Sequence, residues 1–167
     1  LGWPLPEGIG PGSFKTCPTR PTFLIDDGDR FDLGGRYLEA MAAPGHSSGS
    51  TCFLDSLTRS LFAGDVIYEG PLYAQFEESD MYEYVQTLRR LTARQRDFGR
   101  IYPAHGPFPL VRGVLPAALE ALERILDGSL LGREFEDEYG PAMLYEWNGV
   151  VVYGKPPGSR GISLVGL

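Results

Sequence analysis

The chain has 167 residues, 43% of them apolar and 22% charged, which fits one globular domain with a tail and excludes a disordered chain. No run approaches the roughly 18 apolar residues that a membrane span needs, so no membrane partner is expected. A net charge of −7 repels phosphate backbones and sets nucleic acid aside as a partner. The first residue is Leu1, which reads as a processed chain or a piece of a longer product, and no signal peptide is visible. Cys17 and Cys52 lie far apart and form no Cys-x-x-Cys pair, which suggests reduced thiols and a cytoplasmic setting.

Residues 1–21 carry Pro4, Pro6, Gly8, Gly10, Pro11, Gly12, Pro18 and Pro21 and read as a loop or linker. Short strands bounded by turn residues are predicted at Thr22–Ile25, around Phe31–Leu33, and at 36–43, 50–54 and 60–63. The acidic stretch Asp26-Asp27-Gly28-Asp29 lacks the spacing and late Glu of a calcium loop, so it reads as a turn.

A helix is predicted from Asp80. Asp80 caps it, Glu83 stands in the capping-box position, and Met81, Tyr84, Val85, Leu88 and Leu91 share one face. Arg89, Arg90, Arg94 and Arg96 read as a solvated face near its C-terminal end. A strand at 99–102 follows, then a second helix over 115–127 with Leu115, Leu119, Leu122 and Leu126 as its buried stripe and Gly128 at its end. Asn148-Gly149 between two β-prone runs predicts a hairpin that is an edge element or a contact surface. Together the elements predict an α/β (α+β) fold, a mixed sheet with helices on it, in three parts: a linker at 1–21, a domain at 22–128 and an extension with the hairpin at 129–167.

Chemistry concentrates at strand ends. The chain has two histidines, His46 and His105, each in a Gly/Pro-rich turn directly after an apolar run, and Asp65 has the same setting after Leu61-Phe62-Ala63-Gly64. Singly, a loop His is a surface or hydrogen-bonding residue and an Asp after Gly is a turn former. If the three strand ends share one rim of one sheet, the side chains converge, and spacing alone leaves both readings open. Ser47, Ser48 and Ser50 lack a Gly-x-Ser-x-Gly elbow and read as a tight turn.

The wording of these loops resembles the metallo-β-lactamase superfamily. Pro44-Gly45-His46-Ser47-Ser48-Gly49-Ser50 is similar to its PGHTxGS segment, Leu61–Asp65 to its LFxGD segment, and Tyr102-Pro103-Ala104-His105-Gly106 to its xPGHG segment, with Ala104 in place of the usual Gly. The motifs stand in the family's order, and the resemblance covers about residues 22–127. It implies His46 as a ligand of a first metal, Asp65 as the carboxylate bridging two metals, and His105 as a ligand of the second. It implies two divalent ions, zinc first, with iron or manganese in some relatives, and hydrolysis by the hydroxide they activate. It also places Tyr68 where a lactonase-like tyrosine helps hold the substrate oxygen, beside the plain reading of an aromatic packing at a strand end.

The family's His-x-His-x-Asp-His segment does not occur in these residues. The resemblance therefore implies the second half of an αββα sandwich, with two ligands per metal where catalytic zinc normally has three. Such a half leaves an apolar sheet face uncovered unless a missing N-terminal half or a second copy in a homo-oligomer covers it. The expected function is hydrolysis of a small-molecule ester, thioester or lactone by the parent protein, this chain alone being inactive. The alternative is a non-catalytic binding domain that keeps the fold.

Overall fold

The computed structural model describes residues 20–111, 113–137 and 139–158. The 1–21 linker expectation and Cys17 lie almost wholly outside these residues. The chain forms two mixed sheets where the sequence pattern suggested one.

The first sheet begins as an antiparallel meander: β1 (Arg30–Asp32), β2 (Tyr37–Ala42), β3 (Thr51–Asp55) and β4 (Ser60–Gly64). After β5 (Pro71–Ala74) and helix α1 (Met81–Ala93), strand β6 (Arg100–Pro103) returns parallel to β4, giving the order β1-β2-β3-β4-β6. The second sheet has the order β5-β9-β8-β7, built from β7 (Arg133–Asp137), β8 (Gly140–Trp147) and β9 (Val150–Gly154), with β5 parallel to β9. Helix α2 (Val114–Leu126) packs on α1 and reaches β8 and β9.

Both helices follow from their sequences. The Asp80 carboxylate accepts the Glu83 amide at 2.9 Å and caps α1. The predicted face of α1 is buried, with Tyr84, Val85 and Leu88 fully so. In α2 the buried set is Leu115, Ala118, Ala121 and Leu122, while Leu126 is 45% exposed. The predicted leucine stripe thus fails at its last turn, and Ala118 and Ala121 in the middle turns are buried beside Leu115 and Leu122. Gly128 ends this helix with φ +78°.

One face of the first sheet meets the helices. Met41, Cys52, Leu54, Leu61 and Ala63 pack with the buried faces of α1 and α2 and with Leu72, Ala74 and Val152 of the second sheet. Each fully buried leucine here contributes about 1.5–3 kcal/mol. Burial pushes the Cys52 thiol up to about 12, as expected of an inert core cysteine.

The other face of that sheet carries aromatic rings. Phe53 and Phe62 are cross-strand partners, Phe31 packs on Phe53 at 6.1 Å, Phe62 stacks on Tyr102 at 5.7 Å, and Phe108 leans on Tyr102. Phe62 is 44% exposed and Phe108 71%. Alternation along each strand sends one set of apolar residues inward and leaves this second set facing out.

The predicted strand at Thr22–Ile25 does not form. Phe23 and Leu24 are exposed, and the backbone begins pairing only in the second half of the Asp26–Asp29 turn, where Ala40 bonds to Gly28 and Asp29. That turn is closed by the Asp29 carboxylate accepting the Asp26 amide at 2.8 Å. The Asn148-Gly149 hairpin forms with both residues at positive φ. It is no edge element, since β9 and β8 are the two inner strands of the second sheet.

Candidate functional site

His46, Asp65 and His105 line one cleft of about 430 Å³. Its position follows from the topology. Parallel β4 and β6 end side by side, and the Ala104 amide donates to the Gly64 carbonyl at 2.9 Å, so the turns bearing Asp65 and His105 are tied together. Ala104 is not among the residues at positive φ, which explains why alanine serves there. Gly106 does need its small size and φ of +78°, because a Cβ would lie 2.9 Å from the Glu69 carbonyl. A larger hollow of about 860 Å³ at the opposite ends of β4 and β6 is lined by Arg59, Arg96 and Arg100 but by none of these three residues. The smaller cleft is the one that brings the three predicted residues together.

The His46 turn hangs on α1. Gly45 has φ +140°, and a Cβ there would sit 2.3 Å from the Tyr84 Cα. The Asp80 amide donates to the Gly45 carbonyl, the Ser79 hydroxyl to the His46 carbonyl at 2.6 Å, and the Thr87 hydroxyl to the Pro44 carbonyl at 2.7 Å. Ser47 and Ser50 share a hydroxyl contact of 2.8 Å within the turn. The His46 Nδ1 lies 2.8 Å from the Tyr73 carbonyl. A carbonyl only accepts, so Nδ1 carries the proton and the neutral ring keeps its lone pair on Nε2.

Asp65 and His105 form a close pair, with Nε2 of His105 3.0 Å from Oδ1 of Asp65. Oδ1 is nevertheless buried and without a hydrogen-bond partner: the distance is that of a contact, but the alignment is not that of an N–H donor. An orphaned buried carboxylate oxygen beside an imidazole nitrogen suits a shared cation by donor type. The number falls short. Among the described residues no three His, Cys, Asp or Glu side chains are grouped closely enough to hold a metal ion. His46 lines the cleft without joining the pair, so these residues fit a metal as part of a ligand set.

Tyr68 also lines the cleft. Its hydroxyl donates to the Pro71 carbonyl at 2.5 Å, and its ring meets His105 edge-on at 5.7 Å. Burial raises the phenol well above its ordinary range, so it stays protonated.

Three residues matter here that sequence reasoning missed as site residues. Tyr84 was legible only as core, yet its hydroxyl donates to the Val66 carbonyl at 2.8 Å and lies 3.5 Å from that of Asp65, so it holds the Asp65 turn while its backbone seats Gly45. Tyr73 and Tyr139 enter from β5 and from the β7–β8 turn, and no local motif announces either.

This mixed α/β architecture, with a His/Asp cleft at the ends of two parallel strands, defines the class. The family model described as the metallo-beta-lactamase superfamily matches residues 8–127, and the chain belongs to that superfamily. An acyl-coenzyme A thioesterase from Homo sapiens is 42% identical over 78 residues, covering 47% of this chain and 28% of that protein. An atrochrysone carboxyl ACP thioesterase from Paecilomyces divaricatus is 36% identical over 99 residues, covering 59% and 30%. The chain thus matches under a third of the length of these curated relatives. Among solved structures, a metallo-beta-lactamase from Pontibacter korlensis superposes with a TM-score of 0.55 at 21% identity, covering 63% of this chain and 50% of that one. A metallo-beta-lactamase family protein from Thermus thermophilus gives 0.54 at 21%, covering 66% and 38%. These two similarities show the fold alone.

Proposed function

We propose that the chain contributes His46, Asp65 and His105 to the site of a metal-dependent hydrolase of small-molecule thioesters, with esters and lactones as related substrates. The observation that carries this reading is the 3.0 Å approach of His105 Nε2 to an Asp65 oxygen that is buried and has no hydrogen bond. A buried carboxylate oxygen and an imidazole nitrogen this close, with no hydrogen bond between them, suit one shared cation by donor type. The printed names of the thioesterase relatives favour the thioester.

Asp65 would bridge two divalent ions, zinc by donor type, with His46 on one and His105 on the other. When bound, such ions supply a hydroxide at neutral pH and polarise the acyl oxygen. The remaining ligands come from outside the described residues. The aromatic face of the first sheet supports this, because it suits a further layer of the same protein. In the reaction a water oxygen adds to the acyl carbon, the C–S bond breaks, and a carboxylic acid and a thiol leave.

The chain's own side chains have defined tasks. The Tyr73 carbonyl fixes the His46 proton on Nδ1 and so presents Nε2. Tyr68 packs on His105 and would reach a substrate oxygen only by leaving the Pro71 carbonyl, so in its present bonds it is a positioning residue. On this reading 22–128 carries the hydrolase-like part and 129–158, beyond the matched segment, completes its second sheet through the β5–β9 pairing.

The test is metal content and thioester hydrolysis in the product of the full reading frame. Two equivalents of zinc and turnover of an acyl-coenzyme A, both lost in His105→Ala, are expected. Unchanged metal content in His46→Ala and His105→Ala would overturn the reading and leave a non-catalytic domain that keeps the fold.

A further inference from the structure

The cleft has an unusual wall. Tyr73 and Phe76 stack at 5.7 Å with planes 10° apart, and Tyr139 meets both edge-on, at 5.7 Å and 5.4 Å. Phe76 in turn meets His46 edge-on at 5.9 Å, so the rings begin beside a candidate ligand. The carboxylates among the described lining residues are Asp65 and Glu69, and no Lys or Arg is among them.

Tyr139 comes from the β7–β8 turn, beyond residue 127 where the family match ends. The turn is fastened in place. Both oxygens of the Asp137 carboxylate accept from the Gln75 amide at 3.1 Å, and one also accepts the Tyr139 backbone N–H at 2.8 Å. Behind it, Tyr153 packs edge-on to Tyr73 at 5.2 Å and against Phe135 at 4.8 Å. Tyr139 itself is 59% exposed, so the tip of the wall faces the cleft's open side.

The geometry points to the β7–β8 turn, with Tyr139 at its tip, as the substrate-selecting wall of this cleft, taking a flat, uncharged, apolar acyl group such as an aryl or conjugated acyl. This inference rests on the reading of His46, Asp65 and His105 as the reacting centre. Three rings at stacking and edge-on angles leave π faces and edges that a planar group complements. Glu69 repels a carboxylate or phosphate on that group, and no Lys or Arg stands among the described lining residues to offset it. The wall is fastened before any ligand arrives, so ordering it adds little to the cost of binding.

The test uses binding, which does not need turnover. The probe is 2-naphthamide, a neutral stand-in for an aryl acyl group, titrated by calorimetry into the protein freed of metal by EDTA, beside acetamide and naphthalene-2,6-dicarboxylate. The naphthamide is expected to bind, acetamide and the dicarboxylate to bind at least tenfold more weakly. Tyr139→Ala should weaken naphthamide about tenfold, and Tyr139→Phe should restore it. Circular dichroism checks that Tyr139→Ala is folded, and Phe76→Leu supplies a second variant with the same expected direction. Equal affinity in Tyr139→Ala, or equal binding of the dicarboxylate, would overturn the inference. In the full-length product, Tyr139→Ala should raise KM for a naphthoyl thioester while leaving kcat and metal content unchanged. Binding that obeys these rules without hydrolysis or metal would sink the reacting-centre reading and leave the wall standing, so the two failures are distinguishable.

Discussion

Replacing Gly45 with alanine tests how the His46 turn is held. The new Cβ would fall 2.3 Å from the Tyr84 Cα, 2.5 Å from its Cβ and 2.6 Å from its Cγ. None of these atoms is the movable end of a flexible side chain, and Tyr84 is fully buried. The backbone angle of +140° adds strain of about 1–3 kcal/mol for a residue with a Cβ, and the overpacking costs about 1–3 kcal/mol more. Partial relaxation of the turn brings the expected loss to about 3 kcal/mol, a large share of a typical stability of about 5–15 kcal/mol. For a chain of this size that lowers the melting temperature by about 6–12 °C. Gly49→Ala is the control, because nothing lies within 4 Å of its Cβ position, and it should stay within about 1 kcal/mol of the parent. Differential scanning calorimetry reads both. A Gly45→Ala protein melting within about 2 °C of the parent would refute the close seat on α1.

Other outcomes follow from the same geometry. Tyr84→Phe strips the buried Val66 carbonyl of its donor and should cost about 1–3 kcal/mol in urea unfolding, with weaker divalent-ion binding as the Asp65 turn loosens. Stability should fall as pH rises above about 9. The buried Cys52 thiol binds its proton more tightly folded than unfolded, so its contribution is full below its ordinary 9.0 and is lost as pH climbs toward about 12. Tyr68 and Tyr84, raised by burial, add in the same direction at higher pH, so Cys52→Ala should flatten only the first part of the slope in pH-dependent denaturation. Finally, Phe62→Ser with Phe108→Ser should reduce the concentration-dependent association of this chain in sedimentation velocity. A parent already monomeric at high concentration would argue against the uncovered face as an association surface.

The parts of the fold legible in the sequence were those fixed by near neighbours. Asp80 caps α1 through Glu83, three residues away, and Asn148-Gly149 reverses the chain within two residues. The meander strands alternate cleanly enough to be found, and the three loop motifs carried the family. What escaped depends on distant partners. The residues of β5, Pro71–Ala74, are few and start with proline, and they become a strand only because β9 arrives some eighty positions later. Thr22–Ile25 has strand-like residues but pairs with no strand among the described residues, where its Phe23, Leu24 and Ile25 are exposed. The candidate site divides the same way. His46, Asp65 and His105 announce themselves in Gly/Pro turns, whereas Tyr84, Tyr73 and Tyr139 act through hydrogen bonds and ring contacts that no local pattern encodes.

The position of β5 at the edge of the second sheet has a consequence for how the protein is made. Among the described strands it pairs with β9 alone, and its Tyr73 carbonyl sets the tautomer of His46. A chain emerging from the ribosome has all three motif loops available by His105, and a domain's earlier segments can begin to fold as they appear. The imidazole at His46 still lacks its fixed acceptor until Val150–Gly154 has left the exit tunnel and closed the sheet. A nascent chain stalled after α2 would carry all three motif loops while β5 still lacked the strand that pairs with Tyr73 beside His46.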